Sequence, residues 1–192
     1  MRTRPAVLIS VFALALGAAG SGGASRVTAA VLIALDLPAL VSQSDHIVLA
    51  NAESESSRYA DGLIVTDVQL RVIAKLKGPA SVGSVLVATH LGGSVDRVGL
   101  RVPGAAHFEL GRSAIVFLRR AEQSTELNVT GMSQGVLPII GSGGTAQVRL
   151  GGREATLMQR DAQGALVPAP KESRRQTLAS VMAEIERLAN SR

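Results

Sequence analysis

The clearest pattern in the chain runs through DGLIVTDVQLRVIAKLKGP, residues 61–79. Ile64, Val68, Leu70, Val72, Ala74 and Leu76 fall on one parity, with Thr66 as its polar member, while Asp67, Gln69, Arg71 and Lys75 fall on the other. A period of two over this length predicts a strand with one buried and one wet face. At about 3.3 Å per residue it would exceed about 40 Å, far beyond the usual five or six residues, so it is expected to bend or bulge. A long bent strand suits a small barrel, whose strands wrap a common core and pair with different neighbours at their two ends. Lys77-Gly78-Pro79 ends it, because Gly tolerates positive φ and Pro has no amide hydrogen to give a ladder.

Other segments continue the theme. DHIVLANAES (45–54) reads as a first strand, SVLVATHL (84–91) alternates Val85, Val87, Thr89 and Leu91, and VGLRV (98–102) repeats the pattern. AIVFL (114–118) is a short continuous apolar run, the pattern of a strand covered on both faces. ELNVTG, GVLPII, AQVRL and EATLM are shorter candidates separated by Gly-rich turns. DLPALVSQ (36–43) predicts one or two helical turns, with Asp36 as N-cap and Pro38 in the first turn. From Lys171 to Asn190 the spacing of Leu178, Val181, Ile185 and Leu188 predicts an amphipathic helix packed on the sheet, fed by a linker at 161–170.

The first residues change the picture of where the chain resides. Arg2 and Arg4 precede an uncharged apolar run from Pro5 to Gly20 and the small residues SGGAS, the layout of a secretory signal over residues 1–24. Cleavage after Ala24 is expected, with Ala30 as the alternative, leaving a β-barrel domain over 31–160. An uncleaved anchor is the competing reading, but the apolar run is short for a bilayer span and Arg26 interrupts its extension. No transmembrane helix is therefore expected after cleavage. Arginine-rich, lysine-poor usage points to a bacterial source, and the expected address is secreted or periplasmic.

Charge and composition mostly exclude. The net charge of +5 includes Arg2 and Arg4, and the body from 25 to 170 is nearly balanced. With one Tyr, three Phe and no Trp, stacking platforms for nucleic acid are also missing, so no nucleic-acid partner is expected. The chain has no cysteine, which excludes disulfides, thiolate metal sites, thiol nucleophiles and a lipid-bearing cysteine.

Candidate chemistry is sparse. His46, His90 and His107 are the three histidines, and none has the spacing of a metal-binding pair. A composite metal site would need His90 and His107 to meet Asp96 or Glu109 in the fold, and the sequence predicts neither a metal nor a cofactor. GSGGT (141–145) contains Ser142 in a glycine-rich run like that around a serine-protease nucleophile, but no Asp precedes the serine, and a hairpin turn explains it better. LGGSVDRVGLRVPG (91–104) sets Arg97 and Arg101 among glycines. It follows no phosphate-loop spacing, and both arginines are expected on the outer face of a strand, where they are candidate partner-binding residues.

SDHIVLANAES, the long strand ending in LKG, SVLVAT and FELGRSAIVFL together resemble the netrin and tissue-inhibitor-of-metalloproteinase type of OB barrel over residues 45–118. The run through GGSVDRVGLRVPG to FLRR and GMSQG also looks like a group of uncharacterised secreted bacterial proteins over most of the mature chain. The first resemblance implies an OB barrel. Its inhibitory chemistry depends on an amino-terminal cysteine, so that activity transfers to no residue here.

The expected fold is mainly β: a small antiparallel OB-like barrel or strongly curved sheet, with a short N-terminal helix and a C-terminal amphipathic helix. The expected function is a non-enzymatic module that binds another exported or envelope protein, with an exported protease as one candidate, through barrel loops or an edge strand. A structural envelope component is the alternative, and a hydrolase using His and carboxylate groups ranks third.

Overall fold

A computed structural model describes residues 31–122, 124–150, 156–170 and 174–191. The predicted signal segment, with both cleavage candidates Ala24 and Ala30, lies outside the described residues.

The described residues open with a short strand, β1 (Val31–Ile33), and a helix, α1 (Leu37–Gln43). Asp36 Oδ1 accepts the Ala39 amide hydrogen at 2.8 Å, so the predicted N-cap forms. At the other end Lys77 Nζ donates to the carbonyls of Val41 (2.8 Å) and Ser44 (2.6 Å). That contact satisfies acceptors that a helix end leaves without partners.

Two 15-residue strands follow, β2 (His46–Ala60) and β3 (Leu63–Lys77). Asp61 and Gly62 have φ of 48° and 78°, the double positive φ of a tight hairpin turn matched to strand twist. The pairing of β2 with β3 slips register three times, between Ile47/Val48, Leu49/Ala50 and Ala52/Ser54. These bulges bend the hairpin, as the excess length of β3 predicts.

The remaining elements are β4 (Val85–Leu91), β5 (Gly93–Val95), β6 (Val98–Leu100), β7 (Ser113–Arg120), β8 (Leu127–Val129), β9 (Val136–Ile140), β10 (Gln147–Leu150), β11 (Thr156–Arg160), β12 (Leu166–Pro168), β13 (Arg174–Thr177) and α2 (Leu178–Asn190). Strands β2, β3, β4, β8 and β7 pair in that order and back to β2, making a ring of five. The join between β4 and β8 is parallel and only two pairs long, Ala88 with Leu127 and Thr89 with Asn128. The result is an OB-like curled sheet and not a strict barrel. Beyond β7 the same sheet continues through β9, β10 and β13, while β1, β11 and β12 form a separate three-stranded sheet.

The extended sheet has two covered faces. Val48, Ala50, Ala52, Val68, Leu70, Ala114, Val116 and Leu118 belong to the core inside the ring. Ile47, Leu49, Leu76, Ile115, Phe117 and Val148 point the other way, against Leu40 and Val41 of α1 and Val181 and Ile185 of α2. This is why 114–118 is continuously apolar: alternate residues of β7 serve different cores.

The sequence-based boundaries differ from the structure at several places. The C-terminal helix starts at Leu178 and not Lys171, because Thr177 Oγ1 caps it by accepting the Ser180 amide hydrogen at 3.2 Å. Residues 174–177 instead pair with β10. The expected linker holds β12, hairpinned to β11 around Asp161, whose Oδ1 accepts the amide hydrogens of Gln163 (3.0 Å) and Ala165 (2.8 Å). In β4 the inward parity is Leu86, Ala88 and His90, opposite Leu70, Val68 and Thr66 of β3, which leaves Val85, Val87 and Leu91 exposed. Arg97 and Arg101 flank β6 instead of lying on its face.

Candidate functional site

Three features of the surface have the shape or chemistry to bind something. The first is an open cleft of about 870 Å³ where the β5–β6 hairpin lies against β2 and β3. Glu55, Ser57, Thr66, His90, Arg101 and His107 are among its lining residues. The hairpin is pinned by a chain of hydroxyls. Thr66 Oγ1 donates to the Gly92 carbonyl at 2.6 Å, Ser57 and Thr66 hydroxyls meet at 2.9 Å, and the Ser94 amide hydrogen reaches Ser57 Oγ at 3.2 Å. Gly93, at φ 130°, crosses so closely that a Cβ there would collide with both hydroxyls, which requires glycine.

The cleft gathers some sequence candidates and separates others. His90, His107 and Arg101 share it, whereas Asp96 sits in the β5–β6 turn and Glu109 lines a different cavity. Among the described residues no group of three or more His, Cys, Asp or Glu can hold a metal ion. His90 Nδ1 lies 3.0 Å from its neighbour's carbonyl, Leu91 O, and the ring is tilted 30° against Phe108 with centroids 6.0 Å apart. Arg97 is exposed and outside the cleft lining, so the two candidate arginines do not converge. Ser142 occupies the turn between β9 and β10, where its carbonyl accepts the Thr145 hydroxyl at 3.1 Å, and no histidine hydrogen-bonds it among the described residues.

Nearby charges are structural. Arg58 grips Asp67 through Nε (2.6 Å) and Nη2 (3.3 Å) and reaches Glu126 at 2.9 Å, while the Thr89 hydroxyl donates to Asp67 at 2.7 Å. The Arg58 hydrogen bonds hold the Asp67 carboxyl below its usual range, against a smaller opposing effect of burial. His46, at the start of β2, is 6% exposed and its Nδ1 has no hydrogen-bond partner among the described residues. Burial is the main cause that lowers its pKa, with Arg120 adding to the shift and Asp45 opposing it.

The second feature is a cavity of about 420 Å³ on the ring side of the sheet. Val136, Pro138 and Ile140 are among its apolar lining residues, beside the almost fully buried Ala50, Ala52, Leu70 and Val116, and His107, Glu109, Arg112 and Arg149 are its ionisable lining residues. Sequence reading missed it. Its lining comes from separate segments, among them Ala52, Arg112, Pro138 and Arg149, which share no local pattern in the sequence.

The third feature is an edge. From Val85 to Val87, β4 pairs with β3 on one side, and on the other it meets β8 only from Ala88 onward. Alternate residues of an antiparallel strand direct their amide and carbonyl groups away from the paired neighbour, so this stretch presents unpaired ladder positions. Val82, Val85 and Val87 are 68%, 39% and 48% exposed around it.

Compared with known proteins, the chain matches no family model and no curated protein. Among the described residues no helix is long and apolar enough to cross a membrane.

Proposed function

We propose that this chain is an exported, non-enzymatic binding module that accepts an extended segment of another exported protein as an added strand beside β4. The observation that carries the reading is the open edge at Val85–Val87 with its exposed valines. Strand addition draws affinity from main-chain hydrogen bonds, and alternate side chains of the incoming segment set specificity. Apolar residues on the incoming strand would cover the exposed parts of Val85 and Val87, which are 39% and 48% exposed. The signal-like residues 1–24, or 1–30, support the exported address. An exported protease is one candidate partner. A netrin-type relation enters only at the level of scaffold, since a chain without cysteine cannot reproduce that family's metal chelation.

The test is affinity capture with the tagged full-length chain from the producing cells' culture fluid and envelope extract, in parallel with Val87→Lys. The expected result is one protein held in stoichiometric amount by the native chain and reduced at least about tenfold by the lysine, which blunts edge pairing. Failure to retain any protein, or equal retention by both chains, would sink the edge reading. Quantitative fractionation with the envelope and no discrete partner would instead support a structural envelope component.

A further inference from the structure

We infer that the ring-side face of β10 and β13 is a binding site for a compact phosphate-type anion, held between Arg149 and Arg175. This site goes beyond the strand-addition reading and does not depend on it. Strands β13 and β10 stand at one end of the strand order, whereas the open edge on β4 lies toward the other.

Strand register brings the two arginines together. In the antiparallel ladder of β10 with β13, Gln147 stands opposite Thr177, Val148 opposite Gln176 and Arg149 opposite Arg175. Val148 is fully buried and belongs, with Leu150, to the core under the helices. Alternation along the strand therefore turns Arg149, and with it its partner Arg175, to the other face. Arg149 accordingly lines the ring-side crevice, where Pro138, Ile140 and Arg112 are also lining residues. Directly opposed side chains on one face have Cβ atoms about 4.5–5.5 Å apart, and like charges in that position are destabilising.

A protein ordinarily relieves such a pair by setting a carboxylate opposite or beside it, as Glu53 does for Arg71 and Asp67 for Arg58. Here that relief is missing. Among the described residues neither Arg149 nor Arg175 makes an ion pair. Arg149 is half-buried and Arg175 is exposed, so the pair is open to a ligand from solvent. Gln147, two positions before Arg149 on the same face, adds a side-chain amide. Two guanidinium forks and an amide offer more N–H donors than the two oxygens of one carboxylate accept, and they carry a double positive charge. A phosphoryl group brings three acceptor oxygens and about two negative charges, which matches both counts. Such an anion turns a repulsive pair into a set of charge-assisted hydrogen bonds.

Pyrophosphate is the probe, titrated calorimetrically into the full-length chain at low ionic strength, with succinate as a dicarboxylate comparison. One pyrophosphate per chain is expected, bound at least about tenfold more tightly than succinate and more weakly as salt is added. Arg149→Gln and Arg175→Gln should each weaken pyrophosphate at least about tenfold, whereas Arg119→Gln, an exposed arginine at the end of β7, should leave it within about twofold. Arg175→Glu gives an independent check, since it sets a carboxylate opposite Arg149. Without ligand this variant should unfold at a higher denaturant concentration than the native chain, and it should no longer bind pyrophosphate. Vesicles containing phosphatidic acid separate two sources of the same chemistry. Co-sedimentation that Arg149→Gln abolishes assigns the anion to a lipid head group, and its absence beside pyrophosphate binding assigns it to a soluble phosphate ester. Absent or non-saturating pyrophosphate binding, succinate bound as tightly, an equal loss in Arg119→Gln, or a lower unfolding midpoint for Arg175→Glu would each overturn the site.

Discussion

The two faces of the central sheet are built from the same strands and differ in how they are filled. Against the helices, Ile47, Ile115, Phe117 and Leu137 present large side chains to Val181 and Ile185, and most of them are completely buried. Toward the ring, Ala50, Ala52 and Ala114 present small side chains that are 1%, 2% and 8% exposed, so the curled sheet closes directly over them. The period of two lets one strand serve both purposes, because each residue belongs wholly to one face. The comparison teaches that β2 and β7 divide their labour by parity: one set of large side chains holds the helices, and the other, with several alanines, lets the ring curl tightly.

The largest expected effect comes from breaking the filled face. Phe117→Ala should cost about 3–5 kcal/mol in chemical denaturation, since no neighbour can collapse into the space of a buried ring held between sheet and helix. Ile185→Ala should cost about 2–4 kcal/mol by loosening α2 from the same core. Adding volume should cost on both faces. Val148→Phe, on the helix side, and Ala114→Val, on the ring side, should each destabilise by about 1–3 kcal/mol in chemical denaturation, since both sites are closely covered. No cost at Ala114 would show that the ring side holds spare room.

A smaller effect is expected at Asp67, which ties β3 to Arg58 and Thr89. Asp67→Ala should cost about 1–2 kcal/mol. Its folded pKa is depressed, so its contribution is fully present above the ordinary value near 3.8 and is lost as pH falls through the lower folded value. His46 gives a separate pH effect. The unfolded chain takes up a proton near pH 6.5, and the buried ring resists it until lower pH. Stability should therefore fall as pH drops below about 6.5 and level off below the folded value. Denaturation midpoints at pH 7.5 and 5.5 check this, and His46→Phe should flatten the difference.

Much of the fold was readable because its strands obey strong local patterns. Residues 63–77 alternate so regularly that β3 and its bending follow from period and length alone, and Asp36 announces α1 through capping chemistry. β4 was harder, since Val85-Leu86-Val87-Ala88 is apolar on both parities. Only its register against Leu70 and Val68 decides which face is buried. β13 was hidden because Arg174–Thr177 is polar, and its strand character comes from pairing with β10 and not from its own propensity. The cleft and the cavity were hardest to foresee. Glu55, His90, Arg101 and His107 come from separate segments, as do Ala52, Arg112 and Arg149, and proximity between distant segments leaves no trace in local periodicity.

The join between β4 and β8 has a mechanical consequence. A ring fastened by Ala88 with Leu127 and Thr89 with Asn128 is a band held by a short clasp, while the opposite side of the band is stiffened by two helices. Under thermal fluctuation or load the band should unfasten at β8 long before the backed half yields, a local opening that amide exchange at 127–129 would register ahead of β7. A guest strand along Val85–Val87 would continue the same edge of β4 that β8 grips. Such a guest would lengthen the clasp, and how firmly the band stays shut would then depend on whether the edge is occupied.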